Sequence, residues 1–446
     1  MLKLFNTLTH LAEEFKPQIK ESVSMYTCGP TVYDHMHIGN LRTFVFSDIL
    51  FRTLKFNNFE VLAVQNITDI DDKIIKRAKE NNTTISEIAN EYTKYFLNDI
   101  QKLNIDPKNL KEQPKATEYI DKMVEYIKVL IDKGFAYIEK DGSVYFDISK
   151  FKDYGKLSGV VKRELKTGTR VLSDEYTKDD VLDFALWKKA DSLDEASYDS
   201  PFGRGRPGWH IECSVMSQSI LGNKLDIHAG GIDLIFPHHE NEIAQSEAKT
   251  GESPFVKYWV HGAHMLVDGK KMSKSLNNFY TLSDLEKKGF EPLVLRYLFL
   301  QTHYRQEMNF TLEALSASQN ALNKLIKEVS SYDEPKVGCA EFEEKFLDAI
   351  NDDLNMPKAL SILWEVIKSD YPTSAKAETV FKFDKVLGLS LNKAKEISKK
   401  QGKELPEEVI KLFEERLRLR NEKKYDEADK IREKIISLGF KVEDKY

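Results

Sequence analysis

Cysteine is scarce in this chain, with three residues in 446, at positions 28, 213 and 339. So few thiols, so far apart, exclude a disulfide framework and point to reduced cysteines. No apolar run approaches the roughly 20 residues that span a bilayer. MLKLFNTLTH, at the start, has no long apolar core of a secretory signal. No membrane partner is therefore expected, the chain reads as cytoplasmic, and Asn-x-Ser/Thr matches at Asn66 and Asn309 carry no glycan meaning. Charge of one sign is also missing. Lys and Arg number 66 against 72 Asp and Glu, a net charge of -6, so any nucleic-acid partner must be held by local basic patches.

What is present is length and pattern. A chain this long exceeds one ordinary core and predicts two to four structural units. Hydrophobic residues at 41% are enough to bury an interior, and charged residues at 31% suit long solvated helices. SVSMYTC reads as a strand stopped by Gly29-Pro30, LRTFVFSDILFRTL as a helix, FEVLAVQNIT as a second strand and DDKIIKRAKEN as a second helix. That alternation predicts an α/β fold with a parallel sheet, its ligand site at the strands' C-terminal ends. From Lys115 to Gly205 the texture changes. A helix, YIDKMVEYIKVLIDKGF, leads into a hairpin, AYIEKDGSVYFDI, where Asp141-Gly142 fits a two-residue turn. This stretch reads as an insertion into the sheet domain. LDIHAGGIDLIFPHHE then resumes the α/β pattern, and beyond Phe310 the chain is nearly all amphipathic helix until a strand signal at LGFKVEDKY.

Three groups of residues carry candidate chemistry. Tyr33-Asp34-His35-Met36-His37-Ile38-Gly39-Asn40 opens the first long helix, whose N-terminus suits phosphate. His35 and His37 could donate to phosphate oxygens there, and Gly39 would let a nucleotide approach closely. A helix cap explains the histidines equally simply. Lys270, Lys271 and Lys274, in DGKKMSKS, make a basic loop that fits either a cationic clamp on a pyrophosphate leaving group or a solvated lysine cluster. Cys28, Cys213, and His238, His239, Glu240 and Glu242 of FPHHENE form the third group. With Pro237 as the first helical residue, His238 and Glu242 stack on one helical face. Two thiolates, an imidazole and a carboxylate suit zinc. A lone cysteine is otherwise a small buried hydrophobe, which is the reading given to Cys339.

HIGN (His37–Asn40) followed by KMSKS (Lys271–Ser275), flanking an interrupted α/β domain, resembles the paired signatures of class I aminoacyl-tRNA synthetases. TCGPTVYD, GRPGWHIECS and GGIDLIFPHHENE narrow the resemblance to cysteine–tRNA ligases, over nearly the whole chain. The resemblance implies a Rossmann-like catalytic domain in two halves, 1–114 and 206–265, around a connective insertion at 115–205. It implies a KMSKS loop and stem-contact region at 266–310, a helical tRNA-binding domain at 311–395 and a small C-terminal region at 396–446. Carried over by position, Cys28, Cys213, His238 and Glu242 bind one zinc ion per chain, and His239 and Glu240 drop out as ligands. His37, Asn40, Lys271 and Lys274 are catalytic. With His35, Gly39, Gly230 and Asp233 they bind ATP, accompanied by Mg2+. Asp233 could equally be a helix cap. Asn40 stands where the name-giving motif has its second histidine, so it can donate a neutral hydrogen bond but cannot be a cation.

Gly29, Thr68 and Trp209 are then expected at the L-cysteine substrate, Trp209 offering a ring face to its ammonium group. Arg416, Arg418, Arg420, Lys423 and Lys424 read as a phosphate-facing patch or a solvated helix. The implied partners are tRNA(Cys), cysteine and ATP, and the implied state is a monomer. Zinc explains how cysteine is told from the nearly isosteric serine, which shape alone separates by only about 1–3 kcal/mol. An insertion of roughly ninety residues is short for a separate hydrolytic domain. Two rivals share part of the pattern: a ligase that joins cysteine to a small amine, and a non-catalytic RNA-binding relative. The long helical C-terminal region argues against the first, and the presence of both ATP motifs against the second.

Overall fold

The computed structural model describes residues 1–160, 170–171, 183–190, 196–272, 278–403, 407–422 and 424–438. The strands Ser22–Thr27, Glu60–Gln65, Leu225–Gly231 and Val256–Gly262 form an all-parallel sheet. Across the sheet their order is Val256–Gly262, Leu225–Gly231, Ser22–Thr27, Glu60–Gln65. Their register sets side chains in rows: Tyr26 lies opposite His228, which lies opposite Trp259. Because side chains alternate along a strand, Cys28, Gly230 and His261 continue that same face toward the C-terminal edge. The alternating α/β expectation therefore holds.

Local sequence explains the turns at that edge. A Cβ on Gly29 would lie 1.5 Å from the Asn66 carbonyl oxygen, so only glycine lets the two strand ends approach. The helix Ile38–Phe56 follows, capped by His37, whose Nδ1 accepts from Asn40 N at 3.1 Å. Arg42, one turn into this helix, donates to four carbonyls, those of Ala263, His264, His303 and Gln306, at 2.7–3.3 Å. It locks the helix start to the chain leading into the small sheet formed by Met265–Val267, Lys270–Lys271 and Met308–Phe310. The start of the helix Ile38–Phe56 and the strand Lys270–Lys271 are thus tied to one frame.

Between the second and third sheet strands the chain builds a separate, mixed sheet: Ala136–Ile138, Val144–Phe146, Asp183–Lys189 and Arg170–Val171, with Gly205–Pro207 also paired to Asp183–Lys189. Its hairpin departs from expectation. Glu139 N donates to Ser143 O at 2.8 Å and Gly142 N to Glu139 O at 3.0 Å. The connection is therefore three residues, Lys140-Asp141-Gly142, and not the two-residue turn the Asp-Gly pair suggests. Gly142, at φ +93°, supplies the left-handed residue of that longer turn. An N-terminal hairpin, Lys3–Asn6 with Leu11–Glu14, went unforeseen.

Beyond Phe310 the described chain is helical. Leu312–Ser330, Ala340–Asn351, Met356–Lys368 and Thr373–Leu387 contribute to the same apolar core as the parallel sheet. Cys339 is 2% exposed within it, as expected of a small hydrophobe. Glu407–Asn421 and Tyr425–Ser437 close over a small core of Val409, Leu412 and Ile435. Arg416 is buried there, so it does not belong to a surface phosphate patch. Arg418 and Lys424 both lie beside Glu422, at 3.9 and 2.8 Å, and Lys423 lies outside the described residues. From residue 439 the suggested terminal strand is also outside them. No helix among the described residues is long and apolar enough to cross a membrane.

Candidate metal centre and nucleotide site

At the C-terminal edge of the parallel sheet four elements deliver polar side chains to one buried point. Cys28 comes from the end of the strand Ser22–Thr27, and Cys213 from the helix Trp209–Leu221. His238 and Glu242 come from one helical face. Phe236 is extended (φ -137°, ψ 131°), and winding begins at Pro237 as a wide π-helical turn before the α-helix Glu240–Thr250. The ligand atoms of Cys28, Cys213, His238 and Glu242 all lie within 4.8 Å of one another, and all four residues are buried.

The edges of this cluster test whether zinc fits. Metal–ligand lengths of about 2.3 Å to sulfur and about 2.0–2.1 Å to nitrogen or oxygen give tetrahedral edges of about 3.8 Å (S to S), 3.6 Å (S to O) and 3.3 Å (N to O). The cluster has Cys28 Sγ to Cys213 Sγ at 3.7 Å, Cys28 Sγ to Glu242 Oε1 at 3.7 Å and His238 Nε2 to Glu242 Oε1 at 3.1 Å. His238 Nε2 is buried with Glu242 Oε1 as its near neighbour, while its Nδ1 lies 3.1 Å from His210 Nδ1. These three edges match those of a tetrahedral zinc site to within a few tenths of an ångström.

Electrostatics prepares the same point. Burial pushes the Cys28 thiol well above its usual range, and Cys213 and Glu242 push it further. At Cys213 burial also acts upward, but the Cys28 hydrogen bond and the neighbouring His238 bring the thiol down to about 6. Of the two sulfurs, Cys213 is thus the one held toward the thiolate. Burial opposes charging His238, yet Cys213 and Glu242 raise it to about 10. Burial likewise opposes ionising Glu242, and His228 and His238 hold it at about 2. The cluster concentrates negative charge that a cation would compensate.

A second set, Cys28, His228, His239 and Glu242, also has its ligand atoms within 4.8 Å. His228 Nε2 lies 3.0 Å from Glu242 Oε2, the oxygen turned away from His238. His239 Nε2 lies 3.3 Å from Cys28 Sγ, and its Nδ1 is 2.7 Å from His261 Nε2. His261 Nδ1 in turn meets Thr7 Oγ1 at 2.7 Å. Burial holds both His239 and His261 low, the latter at about 3, so they form a neutral chain. Gly230 makes room for it, since a Cβ there would stand 2.9 Å from the His239 ring. The sequence reading missed His228, His261 and Thr7. The only available signal was period two, which sets His228 and Gly230 on one face of their strand.

Other expected residues gather around this core. Trp209 lays its ring on His238 with centroids 4.1 Å apart. Gly29 N donates to Asn66 Oδ1 at 2.8 Å, and Asn66 Nδ2 donates to Thr68 Oγ1 at 3.1 Å. Thr68, 2% exposed, gives its own proton to Glu212 at 2.9 Å. Burial raises that carboxyl well above the usual range.

The candidate nucleotide residues that are described, His37 to Asn40 and Lys271, lie near one another. Ile38 N donates to Tyr280 O at 2.9 Å, and a Cβ on Gly39 would come 3.1 Å from the Met272 side chain. Lys271, beside Met272, is exposed on its short strand, and Asn278 Nδ2 holds its carbonyl at 3.1 Å. Lys274 lies outside the described residues. His37 does cap its helix. Because Nδ1 accepts from Asn40 N, the proton of the neutral ring sits on Nε2, and burial keeps the ring neutral. His35 instead packs on Tyr95 and Tyr92, at 4.4 and 5.5 Å. Asp233 is exposed in the turn Ile232–Leu234, its Oδ1 2.4 Å from where a Cβ on Gly231 would stand, and no side-chain cap is made.

Comparison with known proteins bears on the family and the fold. The family model for the class I (C) tRNA synthetase catalytic domain matches residues 14–320, and that for the cysteinyl-tRNA ligase anticodon binding domain matches 402–445. The cysteine–tRNA ligase of Chlamydia muridarum is 45% identical over 99% of this chain and 98% of its own. That of Finegoldia magna is 43% identical with the same coverage. Among solved structures, Mycobacterium tuberculosis methionyl-tRNA synthetase with methionyl-adenylate shares the fold at TM-score 0.59 and 13% identity, over 84% of this chain and 91% of that one. A LeuRS–tRNA–LeuAMS complex from Agrobacterium radiobacter does so at 0.61 and 10%, over 86% and 85%. A sheet edge that carries a thiol-rich cluster is thus found in a chain that belongs to the cysteine–tRNA ligase family of class I aminoacyl-tRNA synthetases.

Proposed function

We propose that the chain activates L-cysteine with Mg2+-bound ATP to cysteinyl-adenylate and pyrophosphate, then transfers the cysteinyl group to the 3′ end of tRNA(Cys). In this reading it acts as a cytoplasmic monomer, and a zinc ion held by Cys28, Cys213, His238 and Glu242 distinguishes cysteine from serine. The observation that carries the reading is the convergence of these four ligand atoms within 4.8 Å at the sheet's C-terminal edge. The names of the relatives, and the match of 402–445 to an anticodon binding domain, support tRNA(Cys) as acceptor. This tetrad is preferred to the one with His228 and His239 because it supplies two thiolates, and because His228 and His239 have other work. His228 holds the free Glu242 oxygen, and His239 is bound into the chain to Thr7.

Bound zinc supplies a Lewis-acidic contact that favours a thiolate over a hydroxyl and lowers the thiol's pKa. The rest falls to positioning and charge. His37 donates from Nε2 to the triphosphate, held there by the Asn40 N–H on its other nitrogen. Lys271 and Lys274 follow charge onto the leaving pyrophosphate. Gly39 and Asn40 border the phosphates, His35 flanks them, and Gly230 and Asp233 face the ribose. Gly29, Thr68 and the Trp209 ring border the amino acid.

ATP–pyrophosphate exchange with cysteine and with serine, before and after chelation, tests the reading. Cysteine-specific exchange that is lost with zinc and restored by its return is expected, followed by charging of total tRNA. Equal exchange with serine would overturn zinc selection, and exchange without charging would favour a small-amine acceptor.

A further inference from the structure

Glu240 stands two residues before the candidate ligand Glu242, is 0% exposed, and is not among the proposed ligands. Its carboxylate is held by the insertion. Gly155 N donates to Oε1 at 2.8 Å, and Leu157 N and Ser158 N donate to Oε2 at 3.1 and 2.8 Å. The neighbouring contacts run the same way. Tyr154 OH donates to Asn241 Oδ1 at 2.5 Å, and Lys156 Nζ pairs with Glu247 at 2.6 Å. The loop is shaped for this grip. Gly155, at φ +96°, has no room for a Cβ, which would stand 2.0 Å from the Val160 carbonyl oxygen, and Gly159 N closes back on Gly155 O at 2.8 Å.

At about 100° per residue, His238 and Glu242 share one helical face and Glu240 points to the opposite one. The helix is therefore gripped from two sides, by the insertion loop at Glu240 and by the candidate zinc at His238 and Glu242. A rotation of about 10° would move an atom about 6 Å from the axis by about 1 Å. Zinc–ligand distances tolerate only about 0.2 Å. Helical winding alone is a poor guarantee of that rotation, since the helix starts with an extended Phe236 and a wide turn.

We infer that Glu240 is a positioning residue: its capture by the Gly155–Ser158 amides sets the rotation of the metal-bearing helix, so docking of the insertion loop and zinc binding are coupled. The inference rests on the zinc reading above. Coupling is reciprocal, which gives a test from each end. In Glu240→Gln, with one oxygen replaced by an amide that cannot accept, zinc affinity measured by chelator competition falls about tenfold, the low end for groups that orient ligands. Tyr154→Phe, a milder loosening of the same loop, moves affinity in the same direction by less. In the unmodified chain, removing zinc speeds hydrogen exchange at the Gly155, Leu157 and Ser158 amides by about the same factor.

A purely structural Glu240 would lower the melting temperature and leave both readouts unmoved. Unchanged zinc affinity in a folded Glu240→Gln would overturn the coupling. So would unchanged loop exchange on chelation, a measurement that needs no variant. An unmodified chain that binds no zinc fails differently, since it removes the metal reading itself.

Discussion

Two clusters of buried charge among the described residues are satisfied in opposite ways. Arg296, 0% exposed, donates from Nε to Leu387 O at 2.7 Å, from Nη1 to Leu103 O at 3.0 Å and from Nη2 to Asp48 Oδ2 at 2.6 Å. Asp48 also receives Arg52 Nε at 2.7 Å. A Cβ on Gly388 would stand 2.5 Å from the guanidinium, so the helix end at Leu387 closes onto it only as glycine. This knot ties the helix Ile38–Phe56 to the helical region, and every Arg296 nitrogen is matched. At the sheet edge, by contrast, two sulfurs, an imidazole and a carboxylate crowd one buried point, and His228 Nδ1 is buried without a hydrogen bond. Burial alone does not mark a functional site. What marks it is convergence of donors that the protein leaves unmatched.

If that difference is real, the two clusters should respond to substitution in different currencies. Arg296→Met is expected to be the largest stability effect, about 3–5 kcal/mol, because it takes from buried Asp48 one of its two cationic partners and strands two carbonyls in the interior. The first transition in denaturant unfolding should shift accordingly, while zinc content per folded chain stays the same. Cys213→Ser should do the reverse. Zinc affinity should fall by more than about a hundredfold, beyond the range typical of residues that only orient ligands, and cysteine-dependent exchange should fall with it. Unfolding of the metal-free chain should shift by less than about 1 kcal/mol. If the metal-free Cys213→Ser chain loses as much stability as Arg296→Met, the two clusters are the same kind of object.

His228→Asn sharpens the contrast at a smaller scale. His228 holds Glu242 Oε2 at 3.0 Å while Oε1 faces Cys28 and His238. Removing that hold should weaken zinc by about tenfold, by freeing the carboxylate to rotate. Zinc titration against a competing chelator reads this directly. A loss as complete as that of Cys213→Ser would instead favour the alternative set, in which His228 is itself a ligand.

The sequence made three of the four parallel strands, the helix Ile38–Phe56 and the helical C-terminal region legible, because each has a clear period; the edge strand Val256–Gly262 was not singled out. It could not give cross-strand register. Tyr26, His228 and Trp259 become neighbours only when three strands, more than two hundred residues apart at the extremes, are aligned. The histidines behind the metal cluster were invisible for that reason. Cys28, Cys213, His238 and Glu242 were legible through a family resemblance and one i, i+4 spacing, not through any short metal motif. Arg416 was misread because a run of Arg on a helix looks like a charged face, and the pattern does not say which Arg turns inward. The Asp141-Gly142 turn was one residue too short because Glu139, and not Lys140, pairs with Ser143.

Asp99 offers the finest test, since it is buried charge that is neither fully matched nor arranged for a ligand. It lies 7% exposed on the helix Ile85–Lys102. Burial raises its carboxyl to about 6; Lys102 pulls against this and Glu286 adds to it. Lys102 is itself committed to both oxygens of Glu286 at 2.8 Å, which limits what it can do for Asp99. A carboxyl whose pKa is higher folded than unfolded binds more protons in the native state, so stability falls as pH rises from about 4 to about 6. Below that window both states are protonated and nothing is lost; above it the full cost is present. Asp99→Asn keeps the shape and removes the charge. It should therefore stabilise the chain by about 1 kcal/mol at pH 7.5 and by close to nothing at pH 4. Unfolding curves at the two values give the answer. A variant no more stable than the unmodified chain at pH 7.5 would mean that Asp99 is satisfied after all, and that the fold tolerates only buried charge it has matched or charge it holds for a ligand.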